Sequence, residues 1–536
     1  MDNFIKTNNK NVNNSLNYLY NNNNNNNKKY LYAEIYHYII NNYTSKWNHD
    51  PINPKKYKVR KDNNSANYYS IKNNDDTNKG AKFTGYGVYS PNLITNTSET
   101  NLNTNLNTNF FFNKYREIYT NPVKKSIIKV NCKNAYSNNN KTIFLERIVN
   151  ATNANKKKYF NNIVPENLNH NNGFITCINV PENAKVINFG DFHGSFHTFL
   201  RIFERFKLLG IIKYNDNEKL IIANDYYILF CGDILDRGTY AMEILDFMFE
   251  LMINSPEQII YIRGNHENKS IYLSLQFKNE IYFKINRNQS SSSKFEDFFT
   301  YLPTAVIIHF KNTELNYIAC HGCIPIKDNW NDLNINNLFK KNNRNNQNNY
   351  TILDNFSAKQ FRWNDLTTDV NFSKSNTRSP YASGNGDVYN ISYNLLKEFL
   401  KEFNLNFLIR GHQDSDANTV LFGNKAYAEK GNYPTGTNIL DIINNSNNNK
   451  IKKKVPSNLI SKINTIKNYR PNTGPIARIN FTNKQKISYK YDTTVNTNLK
   501  SKNLESDNNI KAITLSTNTD FGRPLYIDSY TIIFVS

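Results

Sequence analysis

The sequence of 536 residues predicts an α/β fold in which helices cover the faces of a sheet. Two observations predict it. From about Phe174 onward, short apolar runs of strand length alternate with longer segments of helical periodicity, as in layered α/β domains. Glycine and polar residues also follow directly after several of the apolar runs, which is typical of strands that end in functional loops.

The elements are predicted in chain order from these patterns. Apolar runs predict strands at residues 186–189, 226–230, 259–262, 305–310, 317–319 and 407–409. Apolar residues at helical spacing predict one helix at residues 196–209 and a second at residues 241–252. Stripes of this kind pack in a protein core far more often than they contact a cofactor.

Outside this region the sequence predicts less order. Residues 1–30 are rich in asparagine and are predicted to be a disordered arm. Residues 31–170 mix apolar patches with polar runs and form an N-terminal extension of unknown fold. Two polar stretches, at residues 340–349 and 444–454, are predicted to be surface loops.

The formal charge of +22 resides in the flanks of the chain. Residues 1–170 contain 24 basic and 10 acidic side chains, residues 171–425 contain 26 and 27, and residues 426–536 contain 16 and 7. Basic flanks suggest an acidic or nucleic-acid partner. Solvated tails are the favoured interpretation, because asparagine dilutes the basic residues instead of leaving them clustered.

Cysteine usage and hydropathy bear on the compartment. Five cysteines, an odd and sparse number, do not suggest a disulfide framework and fit a reducing compartment. The single C-x-x-C of Cys320 and Cys323 is a weak zinc signal. No run approaches 18 apolar residues, and the first residues lack the apolar core of a signal peptide. We therefore expect a soluble, cytoplasmic protein without membrane contact.

Five predicted strands end in polar clusters, which parallel strands can bring to one edge of a sheet. The clusters are Gly190-Asp191-Phe192-His193-Gly194, Gly232-Asp233-Ile234-Leu235-Asp236-Arg237-Gly238, Arg263-Gly264-Asn265-His266-Glu267, His321-Gly322 and Arg410-Gly411-His412-Gln413.

Carboxylate, imidazole and amide groups in these clusters suit divalent cations. Two cations about 3.5–4 Å apart can activate a water and hold phosphate oxygens for in-line attack, with arginine as a further phosphate ligand. Each residue alone has an ordinary structural explanation: Asp191 as a turn residue, His193 as a core histidine, Asn265 as a helix cap, Arg410 as a surface ion-pair partner. Five clusters in order after five strands favour a metal site.

The motifs GDxHG, GDxxDRG, GNHE, HG and RxH, in this order, resemble the phosphoprotein phosphatase family of Ser/Thr phosphatases, within the calcineurin-like metallophosphoesterases. The segment Phe361-Arg362-Trp363-Asn364-Asp365 resembles the tryptophan segment of that family. The resemblance implies a calcineurin-like β-sandwich flanked by helices, a catalytic domain at residues 171–423, a basic and partly disordered insertion at 424–510, and closing strands at 511–536.

The resemblance also implies roles for individual residues and two bound metal ions, Mn, Fe or Zn. Asp191 and His193 would bind the first metal, Asp233 would bridge both, and Asn265, His321 and His412 would complete the second. His266 would be the general acid, held by Asp236. Arg237, Asn265 and the more weakly matched Arg378 would bind the substrate phosphate.

Two segments depart from the family pattern. The usual HGG is His321-Gly322-Cys323, and the loop that lines the substrate groove of the family is replaced by Ser516-Thr517-Asn518-Thr519-Asp520. We therefore expect the metal chemistry of the family without its usual substrate behaviour or inhibitor sensitivity.

The implied function is hydrolysis of protein phosphoserine or phosphothreonine by direct attack of a metal-bound water. One alternative is a dinucleoside polyphosphate hydrolase or other nucleotide phosphoesterase of the same superfamily. A lower alternative is an inactive scaffold or nucleic-acid-binding protein. A cysteine-based tyrosine phosphatase is excluded, because no His-Cys dipeptide with a downstream arginine occurs.

Overall fold

The structure is a computed structural model that describes part of the chain. The described residues are 32–41, 138–194, 199, 202–203, 206–207, 210–236, 241–281, 285, 289–339, 349–367, 387–413, 419–422, 425–428, 477–480, 510–515 and 527–535. The predicted arm at 1–30 and the predicted loop at 444–454 lie outside these residues, as does the loop at 340–349 except for its last residue.

The described strands are numbered in chain order. They are β1 (Tyr32–Asn41), β2 (Gly173–Val180), β3 (Lys185–Phe189), β4 (Ile212–Tyr214), β5 (Leu220–Ile222), β6 (Tyr226–Phe230), β7 (Ile259–Tyr261), β8 (Ala305–Phe310), β9 (Asn316–Cys320), β10 (Tyr350–Leu353), β11 (Asp365–Leu366), β12 (Asn390–Ile391), β13 (Phe407–Arg410), β14 (Thr419–Phe422), β15 (Lys425–Ala428), β16 (Ala477–Asn480), β17 (Ile510–Thr514) and β18 (Ile527–Val535).

The described helices are numbered likewise. They are α1 (Asn138–Phe160), α2 (Ala241–Asn254), α3 (Lys269–Tyr272), α4 (Gln276–Glu280), α5 (Gln289–Thr300), α6 (Ile335–Phe339), α7 (Asn355–Trp363) and α8 (Tyr393–Glu402), with 3-10 turns at Lys327–Asn329 and Asn331–Leu333. None of the helices in the described part of the chain is both long and apolar enough to cross a membrane.

Two mixed sheets contain most of the described strands. The first has the order β16-β1-β18-β3-β6-β7, with β3, β6 and β7 parallel and β18 antiparallel to β3. The second has the order β10-β2-β8-β9-β13-β17-β14-β15, in which β9, β13 and β17 are parallel. The remaining strands form the small pairs β4-β5 and β11-β12.

The apolar residues of the strands divide between two faces because successive side chains point to opposite sides. In β6, Ile228 and Phe230 pack with the helical residues, whereas Leu229 packs among residues of the other sheet. In β9, Tyr317 lies in that same inter-sheet core, and Ile318 lies on the opposite face. The two sheets therefore pack face to face as a sandwich, and each outer face is covered by helices.

Helix α1 belongs to one of these outer layers. Its residues Phe144 and Ile148 are fully buried in the core that also contains α2 and α5, and the Arg147 guanidinium lies 2.7 Å from Asp246 of α2. Burial of an apolar side chain of this size stabilises a fold by about 1.5–3 kcal/mol. A helix from the predicted N-terminal extension thus packs on the sandwich.

The predicted layered α/β architecture and its elements are confirmed. The predicted strands correspond to β3, β6, β7, β8, β9 and β13, and the second predicted helix is α2. The described residues of the first predicted helix are helical, and its apolar residues Phe199, Ile202 and Phe206 are buried. In the predicted closing region, β17 lies in the second sheet and β18 in the first.

Candidate metal centre

Five loops converge where β3, β6 and β7 of one sheet and β9 and β13 of the other end. Contacts across the sequence demonstrate the convergence. The backbone N–H of His412, after β13, donates to Asp191 Oδ1, after β3, at 3.0 Å. The N–H of His266, after β7, donates to Asp233 Oδ1, after β6, at 3.0 Å. The side chains predicted from the sequence therefore meet at one edge of the sandwich.

The loops turn sharply beside these side chains. His193, Asp233, Asp236 and His412 have φ angles of 43°, 52°, 63° and 74°. This left-handed region is uncommon for residues other than glycine, and each such residue stores strain. At Gly232, with φ of 93°, a Cβ atom would lie 2.6 Å from the Gly264 Cα atom. Contacts between the loops at this edge, rather than the local propensity of each residue, therefore determine the backbone conformation.

The Asp233 carboxylate lies at the centre of the cluster and is 2 % exposed. Its Oδ2 atom is 3.2 Å from His321 Nε2, 3.4 Å from His193 Nε2 and 3.8 Å from His266 Nε2. Among the described residues, two groups have ligand atoms within 4.8 Å of one another: His193 with Asp233 and His266, and Asp233 with His321 and His412. Asp233 is common to both groups, which is the position of a bridging carboxylate.

Each predicted ligand histidine is oriented by a backbone carbonyl. His193 Nδ1 contacts the Leu235 carbonyl at 2.7 Å, and His321 Nδ1 contacts the Cys231 carbonyl at 2.7 Å. The ring nitrogen that faces a carbonyl must carry the proton that it donates, so the other nitrogen offers its lone pair to the centre. Such a hydrogen bond is characteristic of metal-ligating histidines.

His412 and Asn265 complete the second group. His412 Nε2 contacts the Trp363 carbonyl at 3.2 Å, and its Nδ1 lies 3.1 Å from His321 Nε2. The Asn265 amide oxygen is 2.7 Å from His321 Nε2 and 3.2 Å from His412 Nδ1. With its nitrogen turned inward, the same amide donates to both rings and to Asp233. With its oxygen inward, it is a neutral oxygen ligand for a cation.

Asp191 lies on the other side of the centre and is 1 % exposed. Its Oδ2 atom is 3.9 Å from His193 Nε2, and its Oδ1 atom is 3.8 Å from His321 Nδ1. The structure therefore brings together all six predicted metal ligands.

His266 differs from the other three histidines in its partner. Its Nδ1 atom contacts a carboxylate, Asp236 Oδ2, at 2.8 Å. Asp236 is itself fixed, because its Oδ1 atom accepts the Phe277 N–H at 2.8 Å and the residue is 1 % exposed. The His266 side chain is 11 % exposed, whereas that of His193 is fully buried. Of these rings, His266 is the one that reaches solvent.

Buried charge gives the cluster a strong preference for cations. Burial opposes ionisation of Asp233, but His321, His266 and His193 outweigh it and hold the pKa of this carboxyl well below its ordinary value. Burial likewise opposes protonation of His321, but the Asp233 and Asp191 carboxylates raise its pKa to about 9. The buried carboxylates thus retain a proton on a neighbouring ring, in the place where a cation would supply the positive charge.

The importance of Glu267 was missed in the sequence. Its fully buried carboxylate accepts the backbone N–H groups of Asp233, Ile234 and Gly264 at 2.9–3.0 Å and the hydroxyl of Tyr261 at 2.9 Å. Burial and the Asp233 carboxylate raise its pKa. The available signal was its position as the last residue of the polar cluster that follows β7. Glu267 ties the loop after β6 to the loop after β7.

Arg410 has a similar role in the other sheet, and the interpretation of this residue as a surface ion-pair partner is wrong. The residue is fully buried. Its Nε atom donates to the Gly322 carbonyl, its Nη1 atom to Gln413 Oε1, and its Nη2 atom to the Asn364 carbonyl. It therefore connects the loops after β9 and β13 to the tryptophan segment.

The two arginines predicted to bind phosphate, Arg237 and Arg378, lie outside the described residues, as does the loop at residues 516–520.

The donor set fits two divalent cations. Three imidazoles with inward nitrogens, one amide and the Asp191 carboxylate surround the shared Asp233 carboxylate. This mixture of nitrogen and oxygen donors differs from the oxygen-only sets that Ca and Mg prefer.

Comparison with known proteins agrees with the geometry. Residues 184–415 match the calcineurin-like phosphoesterase family model. The chain is 32% identical over 133 residues to the serine/threonine-protein phosphatase PP2A-like PPG1 of Candida albicans, and 35% identical over 134 residues to serine/threonine-protein phosphatase 5 of Arabidopsis thaliana. These matches cover 25% of this chain and 27% and 22% of those proteins.

A solved protein serine/threonine phosphatase from Saccharomyces cerevisiae is 20% identical, with a TM-score of 0.37, and the match covers 53% of this chain and 74% of that one. The family match at residues 184–415 includes every residue of the metal centre described above. Residues 184–415 therefore form a calcineurin-like phosphoesterase domain, and part of the chain is similar to serine/threonine-protein phosphatases.

Proposed function

We propose that this protein is a metal-dependent phosphatase that hydrolyses phosphomonoesters, with protein phosphoserine and phosphothreonine as its substrates. One observation carries the proposal. In His193, His321 and His412, one ring nitrogen contacts a backbone carbonyl. In His266, the Nδ1 atom instead contacts the Asp236 carboxylate at 2.8 Å. This difference separates three ligand rings from one ring equipped to transfer a proton.

Asp191, His193 and Asp233 would hold one cation, and Asp233 with Asn265, His321 and His412 would hold the other. When bound, the two cations supply charge stabilisation for the phosphate oxygens and a nucleophilic water at neutral pH. We propose Mn, Fe or Zn as their identity, because imidazole and carboxylate donors are combined.

His266 would donate the proton to the leaving oxygen. Its Nδ1–H is engaged by Asp236, so the tautomer and the ring orientation are fixed, and Nε2 faces the centre at 3.8 Å from Asp233. The negative charge of Asp236 stabilises the protonated ring before transfer. Arg237 and Asn265, and with weaker support Arg378, would bind the phosphate.

The protein substrate class is supported by two kinds of observation. The two curated relatives are named serine/threonine-protein phosphatases. In this chain, Arg410 and Gln413 connect the loop of His412 to the tryptophan segment, and this segment was part of the resemblance to protein phosphatases rather than to nucleotide hydrolases. The alternative is a dinucleoside polyphosphate hydrolase, and the experiment must distinguish it from a protein phosphatase.

The test is a comparison of specificity constants on the full chain with added Mn²⁺. Phosphoserine and phosphothreonine peptides are assayed beside diadenosine tetraphosphate, with the Asp233→Asn variant as the matched control for metal-dependent activity. We expect faster hydrolysis of the peptides and loss of both metal and activity in the variant. A much higher kcat/KM for the nucleotide would reassign the substrate class. Equal activity in the variant would overturn the metal mechanism.

We also propose domain boundaries at residues 30, 170, 423 and 510. The basic flanks outside the catalytic domain raise a separate question, which is whether they bind a partner. We propose that the basic side chains of the flanks are solvated, with an acidic or nucleic-acid partner as the alternative. Measuring the salt dependence of RNA affinity on the full chain distinguishes the two. Cysteines 177, 231, 320 and 323 are free and buried, which supports a reducing compartment such as the cytoplasm.

A further inference from the structure

Two arginines outside the metal centre are buried without an ion-pair contact. Arg263, directly after β7, is 2 % exposed, and Arg362, near the end of α7, is 4 % exposed. Neither forms an ion pair within 4.0 Å among the described residues. Buried arginine is rare unless it is paired, because transfer of a charge from water into the interior is costly. The pair therefore requires an explanation.

Their hydrogen bonds bring the two guanidinium groups to the same place. Arg263 Nη2 donates to the His170 carbonyl at 2.9 Å, and Arg362 Nη2 donates to the Asn171 carbonyl at 3.4 Å. These carbonyls belong to adjacent residues, whose Cα atoms are about 3.8 Å apart. The two Nε atoms donate to the carbonyls of Glu267 and Ala358. Both guanidiniums therefore converge on one short segment of chain.

One nitrogen of each guanidinium, Nη1, takes no part in these hydrogen bonds. The Nη1 atoms of both arginines are buried and have no hydrogen-bond partner among the described residues. The hydroxyl of Thr304 is also buried and without a partner. It belongs to the same neighbourhood, since Arg263 N–H donates to the Pro303 carbonyl and Thr304 Oγ1 lies 1.9 Å from the point where Gly173 would carry a Cβ. Buried polar groups are seldom left unsatisfied.

Electrostatics indicates the charge of the missing partner. Burial and then the positive charge of Arg263 lower the pKa of Arg362 well below its ordinary value, whereas Glu267 opposes this. A second nearby carboxylate, Glu296, is paired with Lys269 at 2.6 Å. Two guanidiniums with one buried carboxylate leave one positive charge, which a single monovalent anion neutralises.

We infer that Arg263 and Arg362 form an internal binding site for a small monovalent inorganic anion of the size of chloride. The burial of both Nη1 atoms excludes a ligand with a large body. The residues at 170–171, whose carbonyls cover the pair, are exposed, so an ion has a short route from solvent. A water molecule would accept hydrogen bonds but would leave the charge uncompensated.

The proposed anion site adjoins the metal centre but shares no ligand with it. Arg263 directly precedes the loop that contains Asn265 and His266, and Arg362 directly precedes Trp363, whose carbonyl orients His412. An anion between the arginines would tie the loop after β7 to helix α7. Its binding is therefore expected to stabilise the fold.

The test compares anions on the full chain at constant ionic strength and constant Mn²⁺. Thermal unfolding is measured in sodium gluconate, sodium chloride and sodium bromide, and crystals grown in bromide are examined for anomalous density. We expect Tm to be about 3 °C or more higher in either halide than in gluconate, from preferential binding to the folded state. We also expect one bromide between Arg263 and Arg362.

Two variants make the comparison specific. Arg362→Met removes one guanidinium and is expected to abolish the difference between halide and gluconate. Arg147→Met, the matched control, removes a partly exposed arginine paired with Asp246 and is expected to keep it. Equal Tm in all three salts, absence of bromide density at the pair, or a halide effect that persists in Arg362→Met would overturn the site. If Arg362→Met fails to fold, the wild-type titration and the bromide density decide.

Discussion

Replacing Glu267 by glutamine tests whether this carboxylate holds the central loop in place. The substitution exchanges one carboxylate oxygen for an NH₂ group, which cannot accept. If the NH₂ replaces Oε2, the N–H groups of Asp233 and Gly264, each now at 2.9 Å, lose their acceptor. If it replaces Oε1, the N–H of Ile234 and the hydroxyl of Tyr261 lose theirs. In either orientation, at least two buried N–H or O–H groups lose their hydrogen-bond acceptor.

Each buried donor that loses its acceptor lowers the free energy of unfolding by about 1–3 kcal/mol, so the variant should lose about 2–6 kcal/mol. For a domain of this size, about 1 kcal/mol corresponds to 2–4 °C in Tm. We therefore expect a fall in Tm of at least about 4 °C. Because Asp233 is held at φ 52°, release of its N–H should also lower Mn²⁺ affinity, by about 10–100-fold, as for other residues that orient metal ligands.

Glu280 provides a matched control. Its buried carboxylate accepts the N–H groups of Ala241 and Met242 at 3.1 and 3.0 Å, at the beginning of α2, and not the N–H of Asp233. Glu280→Gln should lower Tm without a change in metal affinity. Metal affinity is measured by calorimetry well below both Tm values. If Glu267→Gln binds Mn²⁺ as tightly as the wild type, or if both variants lose affinity equally, Glu267 does not position Asp233.

Three further outcomes are expected. His266→Asn should reduce kcat by about 10²–10⁴-fold with metal content unchanged, because it removes proton donation only; metal loss would make the ring a ligand. Gly411→Ala should weaken Mn²⁺ binding, because its Cβ would lie 2.2 Å from Asp191 Oδ1, whereas Gly210→Ala, with nothing within 4 Å, should not. Burial lowers the pKa of Lys158 from 10.5 to about 7. Between about pH 7 and pH 10.5 the unfolded chain therefore binds a proton at Lys158 that the folded chain does not bind. The free energy of unfolding, measured with denaturant, should rise with pH across this window in the wild type but not in Lys158→Met.

The sequence was sufficient for the central strands β3, β6, β7, β8, β9 and β13, for the order of the clusters and for the chemical type of the site. Runs such as residues 226–230 and 305–310 are apolar on both faces because they lie between a helical layer and a second sheet, and such runs are recognisable without coordinates. Glycine beside aspartate and histidine marks the ends of these strands. The physical reason is that buried strands and metal ligands leave local signatures.

Only the tertiary structure decided which distant groups meet. Nothing local in residues 138–160 indicates that Phe144 would pack with α2, because the apolar surface that it covers is formed by residues some hundred positions away. Likewise, Glu267, Arg410 and the arginine pair look like ordinary charged residues in the sequence. Their importance arises from burial and from partners on other strands. A charge has its large energetic effect only when the fold removes it from water, and that information is not present in any single segment of the chain.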